Sequence, residues 1–172
     1  MDKIWAPWRA QYILGVKPER DAAATEADPC VLCAKYKDAP ENDRKNLVLF
    51  RGAHSFIMMN LYPYNSGHLM FVPYLHTGAY EELAPETTAE MTLLQQKMIP
   101  VFRNTMNPDG FNIGMNLGRV AGAGIIDHAH MHFVPRWNGD CNFMPVLADT
   151  KIISEHMDST YDKLKNGIVD WR

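Results

Sequence analysis

Three histidines stand at every second position of one short stretch, Asp127-His128-Ala129-His130-Met131-His132-Phe133-Val134-Pro135-Arg136, out of seven in the whole chain. The residues between them are small or apolar, and the Phe-Val-Pro that follows reads as a buried strand. Side chains on a strand alternate faces, so a strand over 127–135 puts His128, His130 and His132 on one face and turns Ala129, Met131 and Phe133 into the core. Such a row has three readings. It is a solvated polar sheet face, a three-histidine metal site, or a histidine nucleophile with supporting groups.

The sequence just upstream bears on that choice. Asn116-Leu117-Gly118-Arg119-Val120-Ala121-Gly122-Ala123-Gly124 carries three glycines. Glycine lets backbone N–H groups approach and surround an oxyanion. Asn116 adds an amide donor and Arg119 a positive charge. Glycine loops arise for steric reasons more often than for ligands, but beside a histidine row this one suggests a phosphate held next to an imidazole. Attack of a neutral imidazole on phosphorus would give a covalent phosphohistidine-type intermediate. A second cluster of reactive types lies far upstream, the pair Cys30-x-x-Cys33, with His76 between the two regions.

These groups need a scaffold, and the periodicity supplies one. Asn46–Phe50, Ser55–Asn60 and His68–Pro73 read as strands joined by the turns Arg51-Gly52-Ala53 and Tyr62-Pro63-Tyr64-Asn65-Ser66-Gly67, an antiparallel meander. From Ala84-Pro85-Glu86 the period becomes helical. Leu93, Leu94, Met98, Val101, Phe102 and Met106 recur until Asn107-Pro108-Asp109-Gly110 stops the helix. Phe111–Leu117 reads as a strand, and about Ile153–Leu164 as a helix. Strands, a long helix, then strands argue an α+β fold with an antiparallel sheet, one long helix packed on it and a C-terminal helix. Residues 1–29 read as an N-terminal arm, with a short helix over about Trp8–Leu14. Residues 30–147 read as the domain, and 148–172 as a helical tail packed on it.

Composition narrows the function classes. A length of 172 residues suits one domain, and the net charge of −3 excludes a global basic footprint for nucleic acid. No apolar stretch is long enough to span a bilayer, and the N-terminus lacks a signal-peptide layout. The expected compartment is the cytosol, where an odd set of three cysteines is not a disulfide framework.

The motifs together resemble the histidine triad superfamily. His128-Ala129-His130-Met131-His132-Phe133 matches its H-φ-H-φ-H-φ pattern, and Ser66-Gly67-His68-Leu69-Met70-Phe71-Val72-Pro73 its G-H-φ-φ-φ-φ-P strand. Met59-Asn60 resembles its nucleoside-side strand, and Asn116-x-Gly118 with Ala121-Gly122 its phosphate loop. Trp5-Ala6-Pro7-Trp8-Arg9, Ala121-Gly122-Ala123-Gly124 and Val134-Pro135-Arg136-Trp137 leading to Asn142-Phe143-Met144-Pro145 resemble the bacterial branch that includes diadenosine tetraphosphate phosphorylases. The resemblance implies an AMP-containing nucleotide substrate, cleaved at the α-phosphorus through a nucleotidyl-histidine that passes to phosphate or water.

In that reading His130 is the nucleophile and His132 contacts the phosphate and the leaving or entering oxygen. His128 orients His130 through its main-chain carbonyl, and His68 buttresses the row. Asn116 and the backbone of 122–124, Gly122 and Gly124 included, hold phosphates, with Asn60 toward the ribose. The resemblance also implies structural zinc on Cys30, Cys33, His76 and His128 and a homodimer, with no organic cofactor. One departure stands out. Many members carry Gln then Ser or Thr after the loop's Ala-Gly, where this chain has Gly124 and Ile125. The remaining alternatives are a nucleotide-binding or sensor protein with little turnover, a nucleoside phosphoramidate hydrolase, and a purely zinc-dependent hydrolase.

Overall fold

The computed structural model describes residues 30–143 and 153–171; the N-terminal arm and the expected helix over 8–14 lie outside the described residues. A short helix α1 (Val31–Lys37) opens the described chain. Three strands follow, β1 (Val48–Arg51), β2 (Ser55–Met59) and β3 (Leu69–Pro73). The long helix α2 (Pro85–Thr105) comes next, then β4 (Gly110–Met115), β5 (Met131–Arg136) and the C-terminal helix α3 (Met157–Gly167). The five strands form one antiparallel sheet in the order β1-β2-β3-β5-β4.

Helix α2 covers one face of the sheet. Its buried residues, Met91, Leu94, Gln95, Met98, Val101 and Phe102, recur every three or four positions and so share one stripe. They pack on Ile57, Leu69, Phe71 and Phe133, which project from alternate positions of the strands. Pro85 sits in the first turn, where its missing N–H is harmless. Leu93, expected in the core, lies off this stripe and is 58% exposed. Glu90 ties α2 to the β1–β2 turn: its carboxylate accepts the backbone N–H of Ala53 (2.9 Å) and of His54 (3.1 Å) and the Ser55 hydroxyl (2.6 Å).

Helix α3 protects the outer edge of β1. The Tyr161 hydroxyl donates to the Val48 carbonyl (2.9 Å) and Lys165 Nζ to the Leu49 carbonyl (2.7 Å). These bonds occupy acceptors that an exposed edge strand would otherwise offer to another chain. Leu164 and Ile168 are buried against the same core. The helix starts at Met157 and runs to Gly167, later than the expected Ile153–Leu164.

The opposite sheet face is covered only in part. Helix α1, too short to carry an apolar period, packs Leu32 and Cys33 over Val48, Phe56, Met58, Met70 and Val72. Tyr36 closes this cluster against Phe56 and Tyr74. The cover stops at β3, and the β5–β4 half of that face carries the histidines.

Candidate active site

The histidine row is only partly in a strand. Ladder pairing of β5 begins at Met131, so His132 lies in the sheet while His128 and His130 precede it. The expected strand over 127–135 is corrected here because the Ala129 N–H bonds to the Thr77 carbonyl (2.7 Å), on the segment after β3, rather than to a neighbouring strand. Met131 and Phe133 face α2 as expected.

Each histidine has a different hydrogen-bond setting. His128 is fully buried, with Nδ1 3.3 Å from Cys30 Sγ and 3.5 Å from Cys33 Sγ. Its other nitrogen, Nε2, donates to the Pro73 carbonyl (2.9 Å), which leaves the Nδ1 lone pair aimed at the thiols. His130 is 4% exposed, and its Nδ1–H donates to the His128 carbonyl (2.9 Å). Neutral imidazole carries one N–H, so His130 Nε2 bears a lone pair.

His132 receives the opposite tautomer through a neighbour. The Tyr64 backbone N–H donates to His68 Nδ1 (3.0 Å), so neutral His68 carries its proton on Nε2. That nitrogen lies 2.9 Å from His132 Nδ1 and donates to it, leaving His132 with an outward Nε2–H. A lone pair on His130 therefore lies beside an N–H donor on His132, with ring centroids 4.9 Å apart.

Burial favours the neutral rings. Desolvation, then the charges His132 and His130 would carry, pushes His68 down to about 3 from its ordinary 6.5. Desolvation, helped by His130, pushes His132 down to about 4. Desolvation also lowers His130, opposed by its bond to the His128 carbonyl.

The groups expected to meet phosphate and nucleoside lie just after β2 and just after β4. Asn60 follows β2; its Oδ1 accepts the Tyr62 N–H (2.9 Å), and its Nδ2 lies 3.4 Å from His68 Nδ1. Asn116 follows β4, with Nδ2 3.4 Å from the Gly122 carbonyl. Gly118 and Gly122 take positive φ (77° and 93°), which closes a tight turn. The turn's N–H groups point inward: Ala121 and Ala123 donate to Gly118 O, and Gly122 donates to Arg119 O. The Gly124 N–H makes no hydrogen bond among the described residues.

The cysteine pair converges with two histidines. Cys30 caps α1 and Cys33 lies one turn on, so both thiols leave the same side of the helix. Cys33 Sγ lies 3.3 Å from His76 Nδ1. The donor atoms of Cys30, Cys33, His76 and His128 all lie within 4.8 Å of one another. Two thiols and two imidazoles around one point are a donor set suited to tetrahedral zinc.

Two features were missed in the sequence. Tyr64 sets the His68 tautomer through its main chain, and its ring lies over those of His68 and His132 (centroids 4.5 and 5.4 Å). The aromatic Tyr62-Pro63-Tyr64 turn was its only signal. Gly114 pairs directly with His132, and an isolated glycine inside a strand pattern was its signal.

A five-stranded antiparallel sheet backed by one long helix, with a row of buried histidines leading into β5, defines an α+β class. The chain belongs to the HIT domain family, whose model matches residues 41–139. It is 37% identical over 163 residues to an AP-4-A phosphorylase of Mycobacterium tuberculosis, covering 93% of this chain and 80% of that one. A Zn-bound histidine triad family protein from Mycobacterium smegmatis superposes with a TM-score of 0.64 at 26% identity, over 81% of this chain and 93% of that one. The fold is also that of the Plasmodium falciparum diadenosine triphosphate hydrolase (TM-score 0.57, 23% identity, 73% of this chain and 78% of that one). The protein is an enzyme of the nucleotide hydrolase and transferase kind. Among the described residues no helix is long and apolar enough to cross a membrane.

Proposed function

We propose that this enzyme cleaves diadenosine polyphosphates, diadenosine tetraphosphate in particular, at the α-phosphorus and passes the nucleotidyl group to phosphate. The observation that carries the reading is the opposed pair of tautomers, a lone pair on His130 Nε2 beside an N–H on His132 Nε2. His130 attacks phosphorus, and the P–O bond to the polyphosphate breaks. His132 gives its proton to the departing oxygen. Phosphate then attacks the nucleotidyl-His130, the P–N bond breaks with its electrons returning to Nε2, and His132 regains a proton. With diadenosine tetraphosphate the products are ATP and ADP. The likeness to an AP-4-A phosphorylase supports phosphate as acceptor.

In this reading Asn116 and the backbone of Gly122 and Gly124 hold the phosphates, and Asn60 approaches the ribose. The inward N–H groups of 121–123 favour a second reading, a nucleotide sensor with little turnover. One experiment separates them. Diadenosine tetraphosphate is incubated with and without phosphate, using wild type and His130→Ala. The enzyme reading requires ADP only when phosphate is present, and a trapped nucleotidyl-enzyme that the variant lacks. Tight AMP binding without turnover would establish the sensor instead.

Cys30, Cys33, His76 and His128 would hold zinc as a structural ion. It would supply a cross-link between α1, the segment after β3 and the histidine row, while leaving His130 unligated. We further assign a homodimer, through α2 and the edge strand β4, where Leu93 and Ile113 are exposed. We place the protein in the cytosol, where the thiols stay reduced. A mass measurement in solution tests the dimer.

A further inference from the structure

The surroundings of His132 are lopsided. Its partner on β3 is Met70, a buried side chain, while its partner on β4 is Gly114. Directly paired residues of an antiparallel ladder project to the same face. The side-chain position of residue 114 therefore opens onto the space beside the His132 imidazole, and glycine leaves that position blank.

Nothing in the backbone asks for glycine there. Its φ is not in the left-handed region, it forms no turn, and a Cβ built on it meets no atom within 4 Å. Glycine inside a strand weakens the strand, and it often marks a place where a ligand comes close. The gap is framed by two amides, Asn112 on the same face of β4 and Asn116 just beyond the strand's end. Asn112 Oδ1 accepts from Arg136 Nη1 (2.6 Å), and its Nδ2 protons have no acceptor among the described residues. Because His132 Nδ1 is turned to His68, its Nε2–H lies on the side away from β3.

We propose that the floor over Gly114 seats the acceptor, an inorganic phosphate, and that the missing side chain at this position is what admits a tetrahedral oxyanion to the phosphorus on His130. This deepens the proposed function and rests on its nucleotidyl-His130 intermediate. The entering phosphate oxygen forms the new P–O bond as the P–N bond breaks. The proton of that oxygen passes to His132 Nε2, which lost its own to the leaving group in the first half of the reaction.

The test fills the gap. Gly114→Ala and Gly114→Val add volume within a strand, where β-branched residues are favoured; because β4 is also the proposed dimer edge, melting curves and the mass in solution check that fold and assembly are retained. Gly110→Val is the control, because Gly110 lies on the same face of β4, its Cβ would also meet nothing, and it pairs with Arg136, about 13 Å along the strand. Two quantities are read: the burst of ATP released from diadenosine tetraphosphate without phosphate, and the KM for phosphate in ADP formation. The expected result is a KM raised about tenfold or more in Gly114→Val, less in Gly114→Ala, out of proportion to any change in the burst. Gly110→Val should match wild type in both. A wild-type phosphate KM in Gly114→Val, or a burst that falls in step with the phosphate reaction, overturns the assignment of position 114 alone. Absence of the burst from wild type removes the nucleotidyl-enzyme, and this inference with it.

Discussion

His68 Nε2 and His132 Nδ1 lie 2.9 Å apart, and the bond between them has one direction. The Tyr64 N–H occupies His68 Nδ1, so the proton sits on His68 Nε2 and His132 must accept it. Adding a proton to either ring breaks this arrangement inside a desolvated site. His132 is accordingly held down at about 4 and His68 at about 3, against 6.5 in water. The attacking lone pair on His130 is lost on protonation, and burial lowers that ring, so the acid limb of kcat/KM should lie below pH 6.5. A limb centred at 6.5 or above would show that the row titrates as solvated histidine and would sink the tautomer argument. Folding stability follows the same sign: both folded values are depressed, so the contribution is complete above 6.5 and is lost as pH falls through about 4 and then 3. Removing the donor with His68→Ala should lower kcat by about 10²-fold or more, the scale seen when a partner that fixes a tautomer is lost.

The four donors around His128 make a prediction about metal content. Protein purified without chelator should hold one zinc per chain, and Cys33→Ser should lose it. Losing a structural ion costs several kcal/mol. At roughly 2–4 °C per kcal/mol for a chain of this size, the melting midpoint should drop on the order of 10 °C. Elemental analysis and a melting curve decide the matter, and wild-type protein without metal but with an unchanged midpoint would refute a structural role.

Gly78 is packed against the chain that leads into the histidine row. A Cβ at this position would lie 2.3 Å from the Ile126 carbonyl oxygen, a backbone atom that cannot rotate away. Thr77 beside it accepts the Ala129 N–H at 2.7 Å. Gly78→Ala should therefore push the 126–129 backbone outward. We expect a loss of about 1–3 kcal/mol in stability, as for other overpacked sites. Displacement of the catalytic row by even an ångström can cost roughly 10²-fold in turnover. Denaturant midpoint and kcat should fall together, and wild-type values for both would contradict the close approach.

How much of this was legible in the sequence depends on the kind of signal. The long helix and five strands were readable, with ends a few residues off, because their apolar periods are strong. The histidine row and the cysteine–histidine quartet were readable because their residue types and motifs are distinctive. Helix α1 was not: it has seven residues, is capped by Cys30 rather than a hydroxyl or carboxylate side chain, and carries no extended period. The early end of β5 pairing was hidden because the competing partner of Ala129 is Thr77, some fifty residues away in the chain. The facing of Gly114 and His132 depends on strand register, which two separate strand sequences do not specify.

The Glu90 carboxylate is the main polar tie between α2 and the β1–β2 turn, and it tests how the scaffold is held. It accepts three hydrogen bonds, from Ala53 N–H, His54 N–H and the Ser55 hydroxyl. Partial burial pushes this carboxyl up, but the bonds from Ser55 and the turn's backbone outweigh it and leave the group below its ordinary 4.5. A depressed folded value means that the ionised carboxylate stabilises the fold above about pH 4.5 and that this contribution disappears as pH falls through the folded value. Glu90→Gln keeps the shape, removes the charge and presents one acceptor oxygen where there were two. Bonds to a charged group are worth roughly 1.5–3 kcal/mol each when buried, and solvent screening at this half-buried turn reduces that, so the loss should be about 1–2 kcal/mol at pH 7. The difference between variant and wild type should shrink as pH falls below 4.5 and vanish below the depressed folded value, where wild type is neutral as well. Urea unfolding at pH 7 and at successive steps below pH 4.5 measures both, and a gap that persists unchanged in acid would mean that Glu90 acts through packing rather than through its charge.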